Sequence, residues 1–143
     1  MDFDPRSDYP LGSRRPELVT TPAGTPLEQL TLTALRDGRI DPAELRTTSE
    51  TLRRQAAIAR AAGRAELADN LERAAELVAV PDDVILDVYT ALRPRRSTAS
   101  ELDELAERLE SRYGAGLVAA FVREAAAVYA GRGLLKVTRA EAF

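Results

Sequence analysis

Histidine, cysteine and tryptophan are all missing from this chain of 143 residues. Without cysteine there is no disulfide and no thiolate ligand or nucleophile, and the redox compartment leaves no mark on the sequence. Without histidine the commonest general base and the commonest metal ligand disappear together. Positive charge is not in excess either: 20 basic residues face 23 acidic ones for a net charge of −3, whereas a nucleic-acid footprint is normally strongly basic. No apolar run approaches the ~18 residues that mark a membrane-spanning helix. The opening MDFDPRSDYP carries acids and no apolar h-region, so a signal peptide is not expected. These absences predict a cytoplasmic protein that contacts neither nucleic acid nor membrane.

What is present is alanine and leucine. Apolar residues make up 45% of the chain, and because these two good helix formers dominate them, an all-α fold is expected. Alanine buries little area, at roughly 25 cal/mol per Å², so the core should be thin and dependent on a partner for part of its stability.

Five of the eight prolines fall within Met1–Pro26, which shows no sustained periodicity and reads as an irregular, extended arm. Tyr9, Leu11, Leu18 and Val19 are bulkier than a solvated linker needs, and they read as anchors for a segment laid across a partner. From Leu27 onward the periodicity is helical. Thr25-Pro26-Leu27-Glu28 looks like a capping box opening a helix that runs to about Arg36 and stops at Gly38. Asp41-Pro42-Ala43-Glu44 starts a short helical turn. Thr48 or Ser49 caps a helix with Leu52, Ala56 and Ala59 inside, ending near Gly63. Glu66–Val78 places Leu67, Leu71, Ala74 or Ala75, and Val78 on one side. Pro81 is expected at the first helical position, with Asp82 and Asp83 in the first turn where the free N–H groups point. Ile85, Val88, Tyr89 and Leu92 form the apolar stripe of that helix.

Arg93-Pro94 stops it, and Arg95 and Arg96 complete a compact cationic knuckle. Thr98 through Glu101 is a second capping box, whose helix turns Leu102, Leu105, Leu109 and Tyr113 inward and pairs Glu104 with Arg108 outside. Gly114 and Gly116 break it. The last helix presents Leu117, Val118, Phe121, Val122, Ala125, Val128 and Tyr129, a stripe broad enough for more than one neighbour. The basic tail Gly131–Phe143 is expected to fray. The domains expected are an arm over 1–26 and a helical domain over 27–143.

No constellation amounts to an active site. The acid pairs Asp82-Asp83, Asp103-Glu104 and Glu107-Glu110 sit in first turns or on solvated faces, where acids are routine. No nucleophile stands beside a base, and Thr21-Pro22-Ala23-Gly24-Thr25 lacks the lysine and the strand of a phosphate loop. The knuckle between helices superficially suggests a helix-turn-helix, but the next helix opens Ser-Thr-Ala-Ser-Glu-Leu-Asp-Glu, which would face phosphate with carboxylates. Catalytic, cofactor-binding and metal-ligating residues are therefore all expected to be absent from this chain. The arginines fit a different role, since guanidinium groups on rigid proline turns suit carboxylates of a partner. Tyr9, isolated in the arm, suits anchoring; the other tyrosines suit core or rim.

Several stretches together carry a resemblance. VPDD, a helix with a central Tyr, ALRP and Arg-Ser-Thr span Val80–Thr98. Tyr9-Pro10-Leu11 with Arg15-Pro16-Glu17-Leu18, then Thr21-Pro22, Gly24 and Pro26-Leu27, precede them in the same register. Glu50-Thr51-Leu52, Ala62-Gly63-Arg64, Arg73-Ala74-Ala75-Glu76-Leu77, Ala120-Phe121-Val122, Glu124-Ala125-Ala126 and Tyr129 continue it. From about Tyr9 to about Lys136 the chain resembles the small (gamma) subunit of coenzyme B12-dependent diol and glycerol dehydratases.

The resemblance implies a small open helical bundle after the irregular arm. It implies a non-catalytic subunit of a lyase that converts 1,2-propanediol or glycerol to the aldehyde by radical chemistry. The implied partners are a large (alpha) and a medium (beta) subunit, assembled as a dimer of heterotrimers. Adenosylcobalamin is then expected in the complex and not on this chain. Eight residues precede Tyr9, fewer than the extension some members carry, so association with a microcompartment is not indicated by this chain. Arg95 stands where many members have an aromatic. The partner interface is expected at Tyr9, Leu11, Arg15 and Leu18 of the arm and Arg93, Arg95 and Arg96 of the knuckle. Composition by itself would favour a stand-alone helical adaptor without catalytic role.

Overall fold

A computed structural model describes residues 2–138, and among these every regular element is helical. The chain falls into two compact units, divided between Val78 and Ala79. Within the described residues no helix is long and apolar enough to cross a membrane.

In the first unit the stretch to Pro26 is irregular but not stretched out. It coils through helix α1 (Leu11–Arg14) and a 3₁₀ turn at Pro16–Leu18. An isolated antiparallel bridge then pairs Thr20 with Pro26. Gly24, at φ +87°, makes the tight turn between them, a conformation costly for any residue with a Cβ. The hydroxyl of buried Thr21 accepts the Thr25 N–H at 3.1 Å.

That bridge explains a correction. Pro26 is held in extended backbone, ψ 150°, so Thr25 cannot cap a helix, and its hydroxyl donates to the Glu44 carboxylate at 2.8 Å. The expected single helix is therefore two pieces, a 3₁₀ turn at Leu27–Gln29 and α2 (Leu32–Arg36), which Thr31 caps by accepting the Ala34 N–H at 3.1 Å. Gly38 ends α2 as expected, and Asp41 caps the turn Pro42–Glu44.

Helices α3 (Ser49–Ala61, capped by Thr48) and α4 (Ala65–Leu77) form the body of this unit. Gly63, at φ +75°, turns the chain, and the Arg64 N–H closes the end of α3 on the Ala59 carbonyl at 2.8 Å. At the far end the Ser49 hydroxyl donates to the Ala75 carbonyl at 2.8 Å. The seam is made of Ala56, Ala59 and Ala68, with Leu71 packed against it. Because alanine lets helix backbones approach closely, the buried line on α4 runs through Ala68, Leu71 and Ala75. Leu67 and Val78, expected inside, lie off that line and are exposed.

The second unit begins with α5 (Asp82–Ala91), where Pro81 is the cap residue and not the first helical one, a one-residue difference of the usual size for a helix end. Val88 is its buried residue, flanked by the half-buried Val84, Ile85, Ala91 and Leu92. Tyr89, assigned to the inward stripe by sequence, is 70% exposed. It stands one residue, about 100°, past Val88 on a helix, too far round to share its burial.

Helix α6 (Ala99–Tyr113) starts with the expected capping box: Thr98 accepts the Glu101 N–H and Glu101 accepts the Thr98 N–H. It buries Leu102, Leu105 and Leu109 as the periodicity predicts, and Ala106 with them, while Tyr113 is half-buried. Glu104 accepts the Ser100 hydroxyl at 3.2 Å, and no ion pair to Arg108 forms among the described residues, a correction to the expected pair.

Gly114, at φ +64°, and buried Ala115 turn the chain into α7 (Gly116–Arg132). Helix α7 buries Val118, Ala119 and Val122 against α6. Leu117, Phe121 and Val128 belong to a second, half-exposed face, so the broad stripe is only partly consumed within the unit. The tail is also ordered further than expected. Gly133 caps α7 in the left-handed conformation, and the Leu134 N–H bonds to Tyr129 O at 2.9 Å. The Lys136 N–H then bonds to Ser97 O at 2.9 Å. Residues 139–143, the rest of the segment predicted to fray, lie outside the described residues.

The alanine seam predicts a specific intolerance. Ala56→Leu should destabilise the first unit by about 1–3 kcal/mol through overpacking. Leu109→Ala, removing a fully buried side chain of the second unit, should cost about 2–5 kcal/mol by opening a cavity. Denaturant titration followed by circular dichroism reads both, and a neutral Ala56→Leu would contradict the close approach of α3 and α4.

Candidate partner interface

The arm residues singled out by sequence are mostly engaged within the chain. Leu11 is 6% exposed, buried by its own unit. The Arg15 guanidinium donates to the Asp8 carboxylate at 2.7 Å and to Glu17 as well. The hydrogen bond that Arg15 donates to Glu17 is the main reason that it is held above its ordinary pKa, with the Asp8 charge adding to it. Glu17 is correspondingly pulled below the usual glutamate range by Arg15. The Leu18 carbonyl accepts a hydrogen bond from Arg54 on α3 at 2.9 Å. These contacts coil the arm onto its unit. Tyr9 alone of the four remains presented, 65% exposed. It stands at the rim of an apolar groove of about 480 Å³ whose walls include Leu11, Ile58, Ala62, Leu67 and Leu71.

The knuckle, in the other unit, is built differently. Its backbone is tied down at every step. The Arg95 N–H bonds to Leu134 O at 2.7 Å, the Ser97 hydroxyl to Ala91 O at 3.0 Å and the Tyr129 hydroxyl to Leu92 O at 2.6 Å. Arg95 itself occupies the left-handed region at φ +61°, an uncommon conformation for a non-glycine residue that persists where its surroundings fix it. The side chains are free by contrast. Arg93, Arg95 and Arg96 are all exposed, and none of their guanidinium groups meets a carboxylate or carbonyl among the described residues.

Two further residues join this surface, Leu86, which the sequence reading left unassigned, and Tyr89, which it had placed on the inward stripe. Leu86, 65% exposed, and Tyr89 stand on α5 at a spacing that puts them in line with Arg93, since residues i, i+3 and i+7 share a helix face. The signal for them was present as that spacing, but Tyr89 also fits the stripe of Ile85 and Val88, and burial alone decides between the two. Beside the line a cleft of about 440 Å³ opens between Thr90, Arg96, Glu101 and Arg108, with Asp87 on its wall.

Between α6 and α7 a set of charges satisfies one another. Arg123 on α7 reaches Asp103, Glu107 and Glu110, at 3.2, 3.4 and 2.8 Å, along one face of α6. The bond to Glu110 is the main reason it is held above its ordinary pKa. Asp103, Glu107 and Glu110, three of the acids noted as pairs in the sequence, thus serve this inter-helix clamp. Glu101 is held below the usual glutamate range chiefly by the Thr98 N–H, with Lys136 adding to it.

There is no imidazole in the sequence, and among the described residues no acid cluster is placed to hold a metal. The apolar groove offers mainly alkyl walls, and no buried side-chain polar atom of the described residues waits for a partner.

The comparisons with known proteins agree with one another. The family model described as dehydratase small subunit matches residues 5–136. The propanediol dehydratase small subunit of Citrobacter freundii is 53% identical over 130 residues, covering 91% of this chain and 76% of that protein. Its counterpart from Salmonella typhimurium is likewise 53% identical over 130 residues, covering 91% of this chain and 75% of that protein.

The capping box beside the knuckle has a pH signature. Because the folded-state pKa of Glu101 is lowered, its carboxylate contributes stability above the ordinary value of 4.5 and loses it as the pH falls through the folded value. Glu101→Gln should therefore melt below the wild type at pH 7, and the gap should close as the pH is taken below 4. Thr98→Ala should cost about 1 kcal/mol at neutral pH. Thermal melts followed by circular dichroism across that range check both, and a gap that widens in acid would contradict the assignment.

Proposed function

The chain belongs to the dehydratase small-subunit family, and we propose that it acts as the small subunit of a coenzyme B12-dependent diol dehydratase. The reaction is the conversion of 1,2-propanediol or glycerol to the corresponding aldehyde and water, and the setting is the cytoplasm. The observation that carries this reading is the 53% identity to two propanediol dehydratase small subunits over 91% of the chain. In this reading adenosylcobalamin supplies the radical chemistry from a site on the companion subunits, and no step of the reaction passes through a side chain of this one. The donor chemistry of the chain supports that division. Its shifted titratable groups owe their shifts chiefly to hydrogen bonds within the chain.

The work of the chain is then to bind and stabilise the large catalytic subunit, in a trimer completed by the medium subunit, two such trimers forming the complex. Leu11, Arg15 and Leu18 support the interface indirectly, by setting the arm that presents Tyr9. The free arginines Arg93, Arg95 and Arg96 contribute charge on a fixed backbone.

Co-expression tests the reading. A tagged copy of this chain should co-purify in a stoichiometric complex with the large and medium subunits. Adenosylcobalamin-dependent conversion of 1,2-propanediol or glycerol should fall sharply when the chain is left out. A monomer that ignores both companions, while the companions remain fully active without it, would leave a helical adaptor of another target.

A further inference from the structure

We infer that the outer face of α5 and the adjoining knuckle form the docking surface for a companion dehydratase subunit, and that the surface it receives carries carboxylates around an apolar centre. The inference rests on the functional reading above and names the part of the chain that performs it. Its core is the pair Leu86 and Tyr89, 65% and 70% exposed on consecutive turns of one helix face. A leucine and a tyrosine left in water side by side form the kind of apolar centre, with a polar hydroxyl at its edge, that binding surfaces use as anchors. Arg93 continues their line, and Arg95 and Arg96 extend it around the turn. The cleft of about 440 Å³ carries Arg96 and Arg108 on its wall.

Charge complementarity identifies the occupant. Arg15, Arg54, Arg60 and Arg123 are matched by carboxylates of their own unit. Single unmatched arginines occur elsewhere, Arg36, Arg53 and Arg112 among them, but among the described residues the knuckle alone sets three within four positions. Three unmatched guanidinium groups beside an exposed Leu–Tyr pair call for carboxylates on the other side, where each arginine can make bidentate bonds. The two acids of the cleft do not pair with these arginines: Glu101 holds the Thr98 N–H and Lys136, and Asp87 forms no ion pair among the described residues.

Rigidity is the second half of the case. The backbone under these side chains is fixed by the bonds from Arg95 to Leu134, Lys136 to Ser97, Ser97 to Ala91 and Tyr129 to Leu92. The left-handed turn at Arg95 is held in place by them. A surface ordered before binding loses less entropy when it binds, so the pinned tail and the buried Ser97 act as supports for the arginines.

The full-length chain, titrated against its purified companion subunits by interferometry or calorimetry, tests this. Tyr89→Ala and Leu86→Ala should each weaken assembly about tenfold or more, the scale of a buried anchor. The double substitution Arg93→Glu with Arg96→Glu should weaken it at least as much, and the wild-type affinity should fall with added salt. Circular dichroism of the isolated variants should match the wild type, since all four side chains are exposed. Leu32→Ser, at an 81% exposed apolar residue of the other unit, should leave affinity within about twofold. The inference is overturned if the α5 and knuckle variants bind like the wild type, or if Leu32→Ser loses as much as they do. It is equally overturned if these variants abolish a self-association of the chain instead. A wild-type chain that binds no companion overturns the functional reading first, and this inference with it.

Discussion

Close approach of helix backbones over alanine is the constraint from which the rest of this molecule follows. In the first unit Ala56, Ala59 and Ala68 make the seam between α3 and α4. In the second, Ala106, Ala115 and Ala119 are fully buried beside Leu102, Leu109 and Val122. Small side chains let helices pack tightly but remove little apolar area from water. At roughly 25 cal/mol per Å² the gain per position is small. Each unit is therefore built on a helical hairpin with a narrow core, and larger apolar residues are left over for which the core has no room.

That shortage explains why so much of the remaining order is polar. Loops that a broader core would have covered are tied by hydrogen bonds: Thr21, Thr25 and Glu44 around one turn, Arg15 with its two carboxylates at another, and Ser97 and Tyr129 beneath the knuckle. Such bonds contribute only about 1 kcal/mol each in net terms, but they select one backbone path. The surplus apolar residues collect on helix faces that point away from the seams, Leu86 and Tyr89 on α5 and Leu117, Phe121 and Val128 on α7. For a member of a small-subunit family, exposed faces of this kind are consistent with a chain that completes its burial in an assembly.

Local signals in the sequence carried a large part of the structure. The capping box at Thr98–Glu101, the caps at Asp41 and Thr48, the glycine stops at Gly38, Gly63 and Gly114, and the leucine ladder of α6 each depend on residues within one or two turns. Where the reading failed, a distant partner intervened. Thr25 looked like a cap until Pro26 was seen bridged to Thr20 and its hydroxyl bonded to Glu44, nineteen residues away. Tyr89 looked inward because one helix stripe is wide enough to include it, and only the position of its neighbours leaves it outside. The tail looked free because its bonds to Arg95 and Ser97 span some forty residues.

The sequence by itself determined the helical class, the helix ends and the absence of imidazole and thiol chemistry, because propensity, capping and composition act locally or not through space at all. It also carried the family, since motifs in a common register survive as a linear pattern. Which arginines are spent and which remain free was decided only by the tertiary structure. Arg15 and Arg123 find their carboxylates through the fold, whereas Arg93, Arg95 and Arg96 are turned outward by a backbone pinned from the far end of the chain. A guanidinium group is satisfied by whatever the fold brings within three or four ångströms of it, and that proximity is not written in the spacing of residues along the chain.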